Sequence, residues 1–166
     1  MQEMIIQNVK TAQFKDVSLE AIFDPQSSHE KEFEFKNSPV ASPYATGEGK
    51  LCVTFYTLLP GKTNYPYHYH TGMEEVFYII SGTGTLKTPH GEKTVSEGDI
   101  IVCPANAAGA HQLTNTSDEV LTYLDIDTTS SPEVVFFPDK GDFRIFTPTA
   151  TKSFPLDAEV NYLRNE

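Results

Sequence analysis

A chain of 166 residues, 39% hydrophobic and 21% charged, has enough apolar side chain for one self-sufficient core and too little charge for disorder to be its default state. Its formal net charge of -11, with no run of basic residues, repels phosphate backbones and anionic lipid, which excludes nucleic acid and membrane as expected partners. The opening stretch MQEMIIQNVK has too short an apolar run for a signal-peptide core or a membrane span, so a cytoplasmic location is the expectation.

Taken in chain order, residues 1–45 are weakly patterned, with polar, turn-rich stretches (DPQSSHEKE, KNSPVASPY) around short apolar runs such as MIIQNV and FEF. They read as an arm that adds edge strands to a barrel or crosses to a partner subunit, because an open sheet edge needs covering. From Leu51 the chain becomes a series of β-prone runs: LCVTFYTLL, EVFYII, GTLKT, KTVSEG, DIIVCP, HQLTN, VLTYLDID and VVFFP. Turn signals such as TPHGEK and SEGD separate them, and helical periodicity is almost absent, so an all-β antiparallel sandwich or barrel is expected. The reading is one domain over 1–166: the arm, a barrel over 46–130 and a C-terminal extension over 131–166. The tail after Pro155, with Asp157 near its start, suggests one short helix.

In EVFYIISG both strand parities are apolar, with Phe77 and Ile79 on the side of Glu75 and Val76, Tyr78 and Ile80 on the other. Something is therefore expected to cover the outside of the barrel, either the arm or a second subunit in an isologous homodimer. Cys52 and Cys103 lie inside apolar runs without CxxC spacing, which suits buried reduced thiols rather than a disulfide or a nucleophile.

The chemistry concentrates in HYHTGMEE. His68 and His70 are two apart and project from one face of a strand, where both imidazoles can grip one ion. A short turn can return the carboxylate of Glu75 beside them. Nitrogen and oxygen donors without thiolate suit Fe, Mn, Zn, Ni or Cu as divalent ions and do not choose among them. A fourth ligand should come from a neighbouring strand, and His111, at the start of HQLTN, suits it best. His90 belongs to a hairpin tip and His29 to an unpatterned polar segment, both read as surface. Phe55, Asn64, Phe77 and Ile79 are weighed as pocket lining against plain core packing. Arg144, in DFRIF, is weighed as a partner for a substrate carboxylate against a surface ion pair. Glu74 reads as a rim residue by parity, and Tyr67 and Tyr69 as pointing away from the histidines.

These residues resemble the cupins, whose motifs are commonly written G-x5-H-x-H-x(3,4)-E-x6-G and G-x5-P-x-G-x2-H-x3-N. Gly61, His68, His70, Glu75 and Gly82 match the first, with one extra residue after Gly61; Gly98, Pro104, His111 and Asn115 match the second. Asn106 stands where the motif has Gly, and two extra residues precede His111; a left-handed Asn106 is the expected accommodation. The likeness runs from about Leu51 to Gly141. It implies a cupin-type double-stranded β-helix, or jelly-roll, barrel whose lumen holds a divalent metal on His68, His70, Glu75 and His111. The motif glycines and Asn115 would serve turns.

Two functions follow from that resemblance. One is a metal-dependent enzyme acting on a small oxygen-rich or carboxylate-bearing molecule, by dioxygenation, decarboxylation or isomerisation. The other is a non-catalytic sugar- or acid-binding barrel in which the metal is an anchor. No second acid or base stands out to specify the chemistry.

Overall fold

A computed structural model describes residues 4–19, 32–43, 47 and 49–158. It contains thirteen strands: β1 (Lys15–Ser18), β2 (Glu34–Ala41), β3 (Leu51–Leu58), β4 (Tyr69–His70), β5 (Glu75–Ser81), β6 (Thr83–Thr88), β7 (Gly91–Ser96), β8 (Ile100–Cys103), β9 (Gln112–Thr114), β10 (Leu121–Thr128), β11 (Glu133–Phe137), β12 (Asp142–Phe146) and β13 (Thr151–Pro155). Every paired neighbour is antiparallel. One sheet runs β1-β2-β3-β10-β5-β8, a second β13-β12-β11-β4 and a third β7-β6-β9. The crossover order β3-β10-β5-β8 and the facing smaller sheets make an all-β jelly-roll barrel. Bridges between Thr63 and Thr114 and between His68 and His111 join the walls.

The β-prone runs from Leu51 onward become strands because each alternates one buried set with one outer set. In β5 the inner set is Glu75, Phe77 and Ile79, at 6%, 0% and 0% exposure. Register then sorts chemistry from grease. Glu75 faces Asp127, Phe77 faces Asp125 and Ile79 faces Tyr123 across β5 and β10, while Tyr56 and Leu58 of β3 pair with Tyr123 and Leu121. One end of the lumen is thus filled by Leu58, Ile79, Leu86, Leu113 and Leu121, and polar groups collect at the other. Tyr123 separates the two, stacked on Tyr56 at 5.2 Å and tilted against Phe77 at 5.0 Å.

The inward parity of β3 is that of Tyr56 and Leu58, so Phe55 faces outward. Both parities of LCVTFYTLL are apolar, and only the pairing with β10 distinguishes them. Asn64, 1% exposed, is also not lining. Its carboxamide oxygen accepts from the backbone N–H of Tyr65 and of Leu113, at 2.7 and 3.1 Å. Phe77 and Ile79 belong to the packed core.

The arm supplies β1 and β2, which extend the large sheet beyond β3. MIIQNV is not a strand: it leads into a 3-10 turn at Val9–Thr11, with Met4 and Ile6 both 89% exposed. Pro155 closes β13 and a turn follows at residues 156–157; the short helix expected after it falls on residues 159–166, which, like His29, lie outside the described part. Among the described residues the outer face of β5 stays open at Tyr78, 42% exposed, beside Ile100 at 67% and Val102 at 65% on β8.

Asn106 does not take a left-handed conformation. Its φ is -166°, and its side chain caps the 3-10 turn Ala107–Gly109 by accepting from the N–H of Ala108. The two extra residues before His111 form that turn. Gly109 is the residue that must lack a Cβ, since one there would run into the Pro104 carbonyl. By contrast Gly61, Gly82 and Gly98 do adopt positive φ, at 76°, 88° and 92°, as turn glycines. Asn115, fully buried, donates to the carbonyls of Leu58 and Glu119 and accepts from Ser117.

Among the described residues, no helix is long and apolar enough to cross a membrane.

Candidate metal centre

The four residues singled out by spacing come from separate segments and meet inside the barrel. His68 pairs with His111 across the backbone bridge, His70 ends β4, and Glu75 opens β5. The imidazoles of His68 and His111 lie 4.6 Å apart, centre to centre, and those of His68 and His70 5.2 Å apart. Glu75 Oε2 is 2.9 Å from His111 Nε2 and 3.9 Å from His70 Nε2. Donor atoms of His68, His70 and Glu75 fall within 4.8 Å of one another, and so do those of Glu75, His111 and Cys103. Glu75 is common to both groups.

Hydrogen bonding fixes which ring nitrogen faces inward. His68 Nδ1 is 2.7 Å from the Pro66 carbonyl and His111 Nδ1 is 2.9 Å from the Gly109 carbonyl. A carbonyl only accepts, so both Nδ1 atoms carry the proton and both Nε2 lone pairs turn toward the lumen. His70 Nδ1 lies 3.5 Å from Glu133 Oε1, a carboxylate that also accepts from the N–H of Thr71 and Gly72. Those bonds hold Glu133, despite its burial, below the usual carboxylate range. Hydrogen bonds orient the imidazoles of His68 and His111 from behind, as ligating histidines commonly are, while His70 Nδ1 has only the longer contact to Glu133.

What they face lacks partners. His111 Nε2 and Glu75 Oε2 are buried and, although 2.9 Å apart, make no hydrogen bond. A nitrogen lone pair and a carboxylate oxygen at that distance repel unless a positive charge sits between them. Two ligands at about 2.1 Å from one cation and at right angles to each other are about 3.0 Å apart, so the residues present fit a divalent ion. Electrostatics agree. Burial and the neighbouring His111 push His68 down to about 3, keeping it a neutral donor. Burial raises Glu75, but His111 outweighs it and draws the carboxylate down to about 2. His111 in turn, against its own burial, is raised well above the ordinary range by Glu75, so without an ion a proton on its Nε2 takes the place between them that a cation would fill.

Three further groups at the site have no motif to announce them. Cys103, opposite Glu75 on β8, is a buried free thiol rather than plain core. Asp125 and Asp127, two apart in VLTYLDID, share the inner face of β10 with Glu75 opposite. Asp125 is 5% exposed, with one carboxyl oxygen lacking any hydrogen-bond partner. Burial, then Glu75, raises Asp125 well above the usual range and Asp127 to about 7. Two acidic residues on the inner parity of an otherwise apolar strand are the signal that was available in the sequence.

The centre opens into a cavity of about 560 Å³ whose walls include His68, His70, Glu75, Asp125, Asp127 and Tyr65. Arg144, half-buried, and Lys140 line it too. His90 is exposed at the β6–β7 turn, Glu74 is exposed, and Tyr69 stacks on Phe136, away from the histidines.

Barrel, motif glycines and inward histidines define the class. The chain matches, over residues 54–127, the family model described as a cupin domain. Among solved structures it is similar to a candidate sugar phosphate isomerase from Acidithiobacillus ferrooxidans, at 25% identity and TM-score 0.67, over 78% of this chain and 82% of that one. It is also similar to a cupin-superfamily sugar phosphate isomerase from Silicibacter pomeroyi, at 20% identity and TM-score 0.71, over 94% and 96% of the two chains. A third, described as an oxalate decarboxylase by prediction, from Thermotoga maritima, has 17% identity and TM-score 0.58, over 76% of this chain and all of that one. No curated protein matches the chain.

Proposed function

We propose that this barrel holds a divalent metal on His68, His70, Glu75 and His111 and moves a proton within a small oxygen-rich molecule bound in the lumen, as an isomerase does. The observation that supports this reading is the set of inward Nε2 atoms around Glu75, whose buried Oε2 has no hydrogen-bond partner among the described residues. A bound metal supplies Lewis acidity toward a carbonyl or hydroxyl oxygen of the ligand.

Asp125 favours catalysis over mere retention. Burial beside Glu75 keeps it protonated, and its unpartnered oxygen belongs to a residue on the cavity wall. Asp127, one inward position further along β10 and raised to about 7, can take the proton from the carbon while Asp125 gives its own to the carbonyl oxygen. Such a pair serves as acid and base to a carbon next to a carbonyl, a role worth about 10²–10⁴ in rate. With metal-loaded protein and hydroxy-aldehyde and hydroxy-ketone sugars followed by proton exchange from deuterated water, Asp125→Asn is expected to lower exchange about 100-fold or more with metal content unchanged. Undiminished exchange in Asp125→Asn, or none in the parent protein, overturns the reading.

We further propose a homodimer formed on the outer face of β5 and β8. Its support is the exposed apolar group Tyr78, Ile100 and Val102 on a sheet edge, which in a lone chain invites association. Light scattering at micromolar concentration should give twice the chain mass; the mass of one chain would contradict it.

A further inference from the structure

Resting on the metal reading above, we infer that Cys103 is a further ligand of the same centre, a thiolate that joins Glu75 and His111 on the ion and biases the site toward zinc or cobalt and away from manganese. The nitrogen and oxygen donors legible in the sequence carry no sulfur bias of that kind.

Register puts the sulfur on the inner face. Cys103 pairs with Glu75 across β8 and β5, and Glu75 pairs with Asp127 across β5 and β10; residues directly opposite in antiparallel strands share a face. Cys103, 6% exposed, thus stands in the row that carries the ligand carboxylate. Cys52 closes the far end of that row, opposite Asp127 on β3. Three strand spacings, about 14 Å, separate the two cysteines, and of the pair it is Cys103 whose sulfur falls among the donors of the centre. The loop after β8 then brings back His111. The 3-10 turn Ala107–Gly109 packs so closely on Pro104 that a Cβ at Gly109 would meet its carbonyl oxygen. The segment therefore folds onto its own start, and His111, its Nδ1 bonded to the Gly109 carbonyl, returns beside the thiol.

One donor atom from each of Cys103, His111 and Glu75 lies within 4.8 Å of the other two. A sulfur at about 2.3 Å and a nitrogen at about 2.1 Å from one ion are about 3.1 Å apart at a right angle and about 4.4 Å apart when opposite, so a single ion can span the group. Plain packing does not account for the thiol, which is buried yet lies outside the apolar cluster at the other end of the lumen. Its neighbours ask for a ligand instead. Glu75 Oε2 and His111 Nε2, on residues 6% and 2% exposed, have no hydrogen-bond partner among the described residues. His68, His70 and Glu75 line the cavity, whereas His111 and Cys103 do not; the sulfur therefore meets the centre from its closed side and leaves the cavity side to a small molecule. On coordination the S–H proton passes to solvent. Thiolate and Glu75 together then balance the charge of a divalent ion, and the soft sulfur tightens the hold on zinc or cobalt more than on manganese.

The test loads the full chain with cobalt(II) under argon and reads its absorption. Bound cobalt should give visible ligand-field bands and, beside them, a near-ultraviolet sulfur-to-metal charge-transfer band. Cys103→Ser is expected to lose the charge-transfer band and keep the ligand-field bands, and Cys52→Ser to keep both. In competition followed by elemental analysis, Cys103→Ser should lower the preference for zinc over manganese at least about tenfold. Cys103→Ala stands in if Cys103→Ser fails to fold. The inference is overturned if the parent shows ligand-field bands without charge transfer, if the charge-transfer band survives in the Cys103 variant or vanishes in Cys52→Ser, or if the zinc preference is unchanged. Failure of the parent chain to take up cobalt or zinc at all would instead sink the metal reading, and this inference with it.

Discussion

Glu75→Gln is expected to empty the centre of metal while leaving the barrel folded. The amide has the shape of the carboxylate, so packing at the mouth of β5 is preserved, but the formal negative charge common to both donor groupings is gone. Oriented imidazoles then face the ion without it. Changes merely behind a ligand commonly cost 10- to 100-fold in metal affinity, and loss of a ligand should cost about 100-fold or more. Stability gives a second readout. With free metal at about a hundredfold over its dissociation constant, linkage adds about 2.7 kcal/mol to the parent protein, or roughly 5–10 °C in Tm for a domain of this size. A chelator should reverse that gain, and Glu75→Gln should never show it. His90→Ala, at an exposed turn, is the control and should retain full metal. Metal content in Glu75→Gln equal to that of the parent, by elemental analysis, would refute the ligand assignment.

Phe77→Ala should be the most damaging single change in the core, costing about 3–5 kcal/mol. The ring is fully buried, and it touches both halves of the lumen: Tyr123 at 5.0 Å on the apolar side and the edge of His111 at 5.3 Å on the polar side. Removing it opens a void that Tyr123, already stacked on Tyr56, cannot fill without giving up that stack. Denaturant melts should show a lower midpoint at nearly unchanged slope, and metal affinity should fall too, because His111 loses the wall that holds its ring. A loss below about 1 kcal/mol would mean that the lumen collapses around the gap, contrary to the packing described.

What was legible in the sequence was whatever repeats with period two or recurs at fixed spacing. The runs from LCVTFYTLL to VVFFP announced their strands, and HYH with Glu75 and His111 announced a centre whose members meet in space. Three kinds of information were hidden. Where both parities are apolar, as in β3, the inner set is fixed only by a distant strand, so the sequence leaves Phe55 open between lining and packing while Tyr56 holds the inner position. Strands of mixed polarity, such as DFRIF and TKSFP, carry no clean alternation; they are held by pairing with β11 and with each other. Asp125 and Asp127 sit in a run that looks like an ordinary half-buried strand, and their meaning depends on Glu75 lying opposite. The extra residues before His111 were visible, but not that they form a 3-10 turn in which Gly109, rather than Asn106, takes the position intolerant of a side chain.

The bridge between His68 and His111 lies just before β4 and β9, strands of different sheets, and both of its residues turn a ring nitrogen inward. An ion gripped there would act as a rivet through opposing walls, and the shell's rigidity would rise and fall with it. Scarcity of that ion would register as a loosened shape before any chemistry was missed, and cellular proteolysis, which acts on loosened chains, would turn scarcity into a shorter lifetime.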